Sequence, residues 1–237
     1  MIGLSSEPAV RIHYLGHASF IVQFDNGISV LTDYGDSCSY GLDSPVYSLG
    51  DFKPDFVTFS HSHPDHKRPD VQFGRARILT AMDSLSIEGL EIRPIRTSEA
   101  SVDSADNTSY LFLYKGMKIL HLADAQAYIE AIRTDGIREK VKVIYPETVD
   151  LLLMTIQGVH SFIPQAEEFI DLLQPKRVIP MHYWSPAYKE EFLGHCRAEY
   201  RKHYSITNIG SSDYDLSVGE EIYQLRIISL EPAIPSR

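Results

Sequence analysis

The amino-acid sequence predicts an α/β fold, with two β-sheets packed together and helices outside. Three observations predict it. Short β-rich runs fall in two groups, each accompanied by helical segments, the order expected of a layered α/β domain. Hydrophobic residues are 43% and charged residues 23% of the chain, ordinary globular values that allow a sizeable core without disulfide or structural metal. A length of 237 residues suits one large domain, so residues 1–237 read as a single unit.

The elements follow in order. Residues 10–24 (VRIHYLGHASFIVQF) are rich in Val, Ile, Tyr and Phe, and Asp25-Asn26-Gly27 separates them from ISVLTDYG. An Asn-Gly between two β-rich runs signals a hairpin, because the tight turn needs positive φ. Asp33 then ends the second strand. DFVTFS (55–60) reads as a short buried strand with His61 at its exit. Residues 76–82 and 90–97 read as strands, and Asn107 to Leu113 with Met117 to Leu122 as a hairpin around Lys115-Gly116. Residues 126–142 have helical composition, interrupted at Asp135-Gly136. LLLMTI (151–156) is a buried strand. Pro164 suits a first helical turn, and Ala166, Phe169, Ile170 and Leu173 share one face of the helix that Pro175 stops. RVIPMHYW (177–184) is a strand ending in His182, 187–204 a long polar helix, and DYDLSV and EIYQLRIISL two terminal strands.

Charge and cysteine usage narrow the function. A net charge of −10 with no Lys/Arg run repels a phosphate backbone, so nucleic acid is not expected as the main partner. Cys38 and Cys196 form no CxxC and no disulfide framework. The start, MIGLSSEPAVRIHYLGH, shows no signal peptide, and no stretch of about 18 apolar residues suggests a membrane span. A cytoplasmic protein acting on a small molecule is the expectation.

Residues 59–70, FSHSHPDHKRPD, carry the chemistry. In extended chain, residues two apart point to one side, so His61 and His63 can aim at one point. Asp65 and His66 follow a proline turn and can aim at a neighbouring one. Neutral imidazole and carboxylate are ligands for zinc, manganese or iron, and a single site needs three or four of them. Asp124 offers either a further ligand or a cap for the helix after it. His182 reads as a ligand or as a core histidine.

HSHPDH resembles the H-x-H-x-D-H signature of the metallo-β-lactamase-fold hydrolases. YLGHASFIVQF (14–24) is similar to that family's first strand with its turn, NTSYLFLYKGMKILHLAD (107–124) to the strand pair ending in its bridging aspartate, and RVIPMHY (177–183) to the strand ending in its last ligand histidine. The resemblance runs in order over roughly residues 10 to 185, most like the compact branch of ascorbate-6-phosphate lactonase-like proteins. It implies a four-layer αββα sandwich with the site at the strand ends. It also implies one or two divalent metal ions, zinc first with manganese or iron as alternatives. His61 and His63 would bind the first, Asp65, His66 and His182 the second, and Asp124 both. Asp65 would in addition act catalytically, orienting the attacking water or taking its proton. The implied activity is hydrolysis of an ester, lactone, amide or phosphodiester by a metal-bound hydroxide.

The pattern breaks at one place. The family has a further ligand histidine on the loop after a strand like LEIRPI; here that loop, RTSEASVDSAD (96–106), has none. Glu99, Asp103 or Asp106 offers a carboxylate instead, which would favour harder metals such as manganese. The gap also motivates a second reading, a metal-binding sensor or scaffold with little hydrolytic activity. Outside the motifs, His17 reads as an outer partner of the site, paired with Asp33, and His121 as a core or outer-partner residue. His160, at the exit of LLLMTI, is a candidate substrate contact, and Tyr183 and Trp184 candidate pocket residues. His13, His195 and His203 read as surface.

Overall fold

The β-rich run 10–24 is two strands. β1 (Val10–Gly16) and β2 (Ser19–Phe24) pair antiparallel across a turn at His17-Ala18, where Gly16 takes φ 119° and His17 φ 51°. The hairpin expected at Asn26-Gly27 then joins β2 to β3 (Ser29–Thr32), with Gly27 at φ 89° and Asn26 Oδ1 accepting from the Ile28 N–H at 3.0 Å. The computed structural model describes residues 8–36, 41, 46, 48–145, 148–199 and 204–233.

β4 (Phe56–Thr58), β5 (Arg77–Leu79) and β13 (Asp213–Leu216) complete a six-stranded sheet ordered β13-β1-β2-β3-β4-β5. The second sheet holds β6 (Leu85–Ile87), β7 (Leu90–Thr97), β8 (Asn107–Tyr114), β9 (Met117–His121), β10 (Leu151–Thr155), β11 (Arg177–Met181), β12 (Tyr204–Asn208) and β14 (Leu225–Ser229). Its order is β12-β14-β11-β10-β9-β8-β7-β6. β9, β10 and β11 run parallel, so their connections must cross the sheet face. Helices α1 (Gln126–Glu130), α2 (Ile137–Ile144) and α3 (Ile163–Leu173) make those crossings, and α4 (Pro186–Glu199) follows β11. Gly136, at φ 81°, breaks α1 from α2, and Pro164 sits in the first turn of α3. α1, α2 and α4 all touch α3, so they share a layer.

Two strands escaped the sequence reading. β6 is a three-residue, half-buried edge with too few residues for alternation to show. The sequence predicts a helix over 187–204 and no strand over 205–208; the helix ends at Glu199, and β12 begins at Tyr204, which pairs with Leu225. Cys38 and His203 lie outside the described residues.

Alternation along the first sheet sorts its side chains between two cores. Phe20, Val22, Val30 and Phe56 enter the core between the sheets, while Ile21, Leu31 and Val57 point outward. That outer face is covered by Leu49, Phe52, Val71 and Phe73, so among the described residues its covering layer is irregular chain rather than helix. Each fully buried aromatic, such as Phe20 or Phe112, contributes about 1.5–3 kcal/mol of burial.

At one end the two sheets are also tied by hydrogen bonds. The His182 N–H donates to His17 O at 2.9 Å, His121 Nε2 to Ala18 O at 2.9 Å, and the Tyr110 hydroxyl to Phe59 O at 3.0 Å. The loop carrying the histidine motif is fastened to the chain after β3: Asp36 N–H donates to Pro64 O at 2.7 Å and Arg68 N–H to Tyr34 O at 3.0 Å. Gly35 lies between these contacts, where a Cβ would stand 1.7 Å from Asp65 O. Backbone cannot yield cheaply there. Gly35→Ala should therefore lower unfolding free energy by about 1–3 kcal/mol in chemical denaturation. Gly194→Ala, in open space on α4, should instead stabilise by about 0.5–1 kcal/mol.

Candidate metal centre

Every functional side chain leaves the end of a strand at the tied edge of the sandwich. His17 follows β1, Asp33 follows β3, the His61–His66 loop follows β4, Glu99 follows β7, Asp124 follows β9 and His182 follows β11. Four of these turns hold non-glycine residues at positive φ: His17 at 51°, Asp33 at 37°, Ala123 at 57° and His182 at 52°. Such conformations cost of order 1–3 kcal/mol each and persist only where surrounding contacts fix them. Here the His182 N–H to His17 O bond joins two of them, the Asp33 N–H donates to Thr58 O at 3.0 Å, and the Thr155 hydroxyl donates to Ala123 O.

Asp33 is the hub of the polar network. Its carboxylate accepts from the Ser60 N–H at 2.7 Å, from Ser60 Oγ at 2.7 Å and from His66 Nδ1 at 2.9 Å. The expected partner was His17; the carboxylate is instead engaged by His66, and His17 Nε2 lies 3.2 Å from Asp65 Oδ2. The reason is the His17 turn, which swings that ring toward Asp65 and His182.

This network assigns the histidine protons. Asp33 only accepts, so His66 carries its proton on Nδ1. Ser60 gives its one hydroxyl proton to Asp33, so its oxygen accepts from His61 Nδ1 at 2.9 Å. His182 Nδ1 donates to Gln157 O at 2.7 Å, a carbonyl that can only accept. In all three rings Nε2 is left as a bare lone pair. His66 Nε2 and His182 Nε2 face each other at 3.0 Å, and buried His61 Nε2 has no hydrogen-bond partner. Asp65 Oδ1 and Asp124 Oδ1 are likewise buried without hydrogen-bond partners. Lone pairs meeting without a proton between them repel unless a cation joins them. Two nitrogens on one tetrahedral zinc stand roughly 3.3 Å apart, from Zn–N distances of ~2.0–2.1 Å. The donor set therefore fits a divalent metal.

Electrostatics agree. Burial pushes the His61 and His17 rings down to about 4, and holds His66 well below its ordinary value, aided by neighbouring His61 and His182. Burial also lowers His182. All four rings are thus neutral, the form that binds metal. Burial, then Asp65 and Asp33, hold the Asp124 carboxyl well above the usual range. Burial, then Asp124, raises Glu99 to about 7. Asp65 differs: burial would raise it, but the His17 hydrogen bond and the His66, His17 and His182 rings outweigh this and hold it low.

Three ligand groupings emerge among the described residues: His17, Asp65, His66 and His182; His61, His63 and Glu99; and His61, His66 and Asp124. All six metal-ligand candidates from the sequence meet here. His17, which the sequence suggests as an outer partner, and Glu99, one of the loop's three acidic residues, join them. Asp124 does not cap α1, whose N-terminal cap, Ala125, makes no side-chain bond. His121 is wholly buried, donating to Ala18. His160 is exposed beside the site, next to Gly158 and Val159, which line it. His13 and His195 pair with Asp213 and Glu167.

Above the cluster opens a pocket of about 220 Å³, walled by Gln126, Val159 and Trp184 with His63 and Glu99 at one side. Among the described residues, no Lys or Arg lines it. A larger cleft of about 380 Å³, lined by Phe52 and Phe73 among others, lies on the outer face of the first sheet and includes none of the three groupings, so the smaller pocket is the chemical one.

A two-sheet sandwich with a His/Asp cluster at its strand ends is the architecture of metallo-β-lactamase-fold proteins. The chain belongs to that superfamily: the profile of the Beta-lactamase superfamily domain matches residues 11–182. It is 22% identical over 205 residues to a UPF0173 metal-dependent hydrolase of Methanosarcina barkeri, covering 73% of this chain and 83% of the relative. It is 24% identical over 215 residues to another from Thermococcus onnurineus, covering 77% and 90%. Among solved structures, a metallo-β-lactamase superfamily member from Thermotoga maritima superposes with a TM-score of 0.62 at 21% identity, covering 93% of this chain and 98% of that one. The fold protein YhfI of Bacillus subtilis gives 0.57 at 10% identity, covering 96% and 98%. No helix among the described residues is long and apolar enough to cross a membrane.

Asp33→Ala would leave the Ser60 N–H, the Ser60 hydroxyl and His66 Nδ1 without their acceptor. It should lower zinc affinity on the order of 10–100-fold in chelator competition. It should also cost about 1–3 kcal/mol in stability for each buried donor left unpaired.

Proposed function

We propose that the chain is a metal-dependent hydrolase of a small, uncharged carbonyl compound, an ester, lactone or amide. The observation that carries this is the meeting of bare imidazole nitrogens, His66 Nε2 against His182 Nε2 at 3.0 Å, at the floor of a substrate-sized pocket. His66, His182 and Asp65 would hold one divalent ion, and His61 and His63 another, with Asp124 between them. When bound, such ions supply a nucleophile at neutral pH and a positive charge for the developing oxyanion.

The chain's own residues do the rest. Asp65, held ionised and oriented through Oδ2 by His17, has its buried Oδ1 without a hydrogen-bond partner, ready to orient the attacking water. Gln126 gives its Oε1 to the Val159 N–H at 3.1 Å, so its amide NH₂ remains for the substrate carbonyl. Trp184 and Val159 present apolar surface to the group next to the scissile bond. Among the described residues no Lys or Arg lines the pocket to pair with a phosphate beyond the metal site, which favours an uncharged substrate over a phosphodiester. The name metal-dependent hydrolase carried by the archaeal relatives supports the same reaction class.

Metal-loaded Asp65→Ala and His61→Ala should lose turnover while keeping the wild-type circular dichroism; undiminished turnover in Asp65→Ala would remove Asp65 from this role. A panel of neutral esters and lactones should be cleaved in preference to phosphodiesters. Failure to cleave any of them at full metal loading would favour the sensor or scaffold reading.

A further inference from the structure

We propose that Glu99 is itself a metal ligand, closing the first centre with a carboxylate where the family's pattern has histidine, and that this centre takes a harder divalent ion, manganese or iron(II), more readily than a three-nitrogen centre would. The proposal rests on the metal-binding reading above and goes beyond it in naming the ligand and the class of ion.

Three acidic residues of the loop offer themselves, and the structure separates them. Asp103 is exposed and pairs with Lys140 Nζ at 3.0 Å. Asp106 folds the loop: its carboxylate accepts from the Glu99 N–H at 2.8 Å, the Ala100 N–H at 3.4 Å and Ser104 Oγ at 2.6 Å. Glu99 alone turns inward. Its oxygens lie 3.4 Å from His61 Nε2 and 3.2 Å from His63 Nδ1.

The contact with His61 is not a hydrogen bond. His61 carries its proton on Nδ1, toward Ser60, and its buried Nε2, 3.4 Å from the Glu99 carboxylate, has no hydrogen-bond partner. The His61 side chain is 5% exposed and that of Asp124, whose Oδ1 has no hydrogen-bond partner, is 5% exposed. His61 Nε2, buried and without a hydrogen-bond partner, thus stands beside the Glu99 carboxylate and His63, and these three offer ligand atoms within 4.8 Å of one another, a cation's place. Asn107 ties the base of the Glu99 loop to the chain at Asp124: its Nδ2 donates to Thr97 Oγ1 at 2.7 Å, and its Oδ1 accepts from the Asp124 N–H at 3.3 Å. Exchange of one imidazole for a carboxylate makes the ligand set richer in oxygen, which suits manganese or iron(II) better than an all-imidazole set does.

The test is metal binding by the full chain, stripped with chelator and titrated with Mn²⁺ or Zn²⁺ alone, with bound metal measured by elemental mass spectrometry and the Mn²⁺ form by electron paramagnetic resonance. The wild type should take two equivalents and show a spin-coupled Mn²⁺ pair. Glu99→Gln should keep the equivalent at His66 and His182, bind the other on the order of 10–100-fold more weakly, and lose the coupled signal. Glu99→His should restore the second equivalent with the Mn²⁺-to-Zn²⁺ preference shifted toward zinc, which a mere folding defect in the loop would not produce. Wild-type affinity for both equivalents in Glu99→Gln would overturn the role of Glu99 while leaving the hydrolase reading intact. A wild type that binds neither metal would overturn both.

Discussion

The centre depends on one buried acceptor. Asp33 takes the Ser60 and His66 protons, Ser60 in turn takes that of His61, and the consequence is that each ring presents Nε2, unprotonated, to the same small volume. Imidazole can coordinate through either nitrogen, and an unfixed ring would divide its time between tautomers and rotamers. A carboxylate fully inside the protein is costly unless its lone pairs are used. Asp33 offsets that cost with three donors, and the donors' geometry becomes the geometry of the site.

The sandwich supplies the setting. Strand ends from both sheets meet at one edge, and hydrogen bonds between the sheets, His182 to His17 and His121 to Ala18, hold them in register. Positive-φ residues at these ends turn the chain sharply, so side chains from distant parts of the sequence face one another. The apolar core behind them is the larger energetic term, and it makes the strained turns tolerable. Packing sets where the strands end, the strand ends set where the ligands point, and the ligands with Trp184, Gln126 and Val159 set what the pocket can accept.

Much of this was legible in the sequence because the signals are local. Asn26-Gly27, Asp135-Gly136 and Pro164 mark a turn, a break and a helix start by backbone requirements alone, and each stands where expected. HSHPDH concentrates four candidate ligands in six residues, so proximity needed no tertiary knowledge. What stayed hidden is non-local. Nothing near Gly16-His17 says that the ring will reach Asp65, 48 residues on, rather than Asp33. Choosing Glu99 over Asp103 and Asp106 required knowing that Lys140 engages one and the loop's own backbone the other. β6 is too short for alternation to show, and β12 begins only five residues after the polar helix, so neither carries a strand signal of its own.

Whether those bare nitrogens hold metal decides the site's chemistry. The direct measurement is metal content per chain, by elemental mass spectrometry, on protein purified without added metal or chelator. About two equivalents of a divalent transition metal is the expected result, with the two centres filled. No bound metal, and no uptake when zinc, manganese and iron(II) are each supplied, would contradict it, and the convergence of His61, His66, His182, Asp65 and Asp124 would then need another cause.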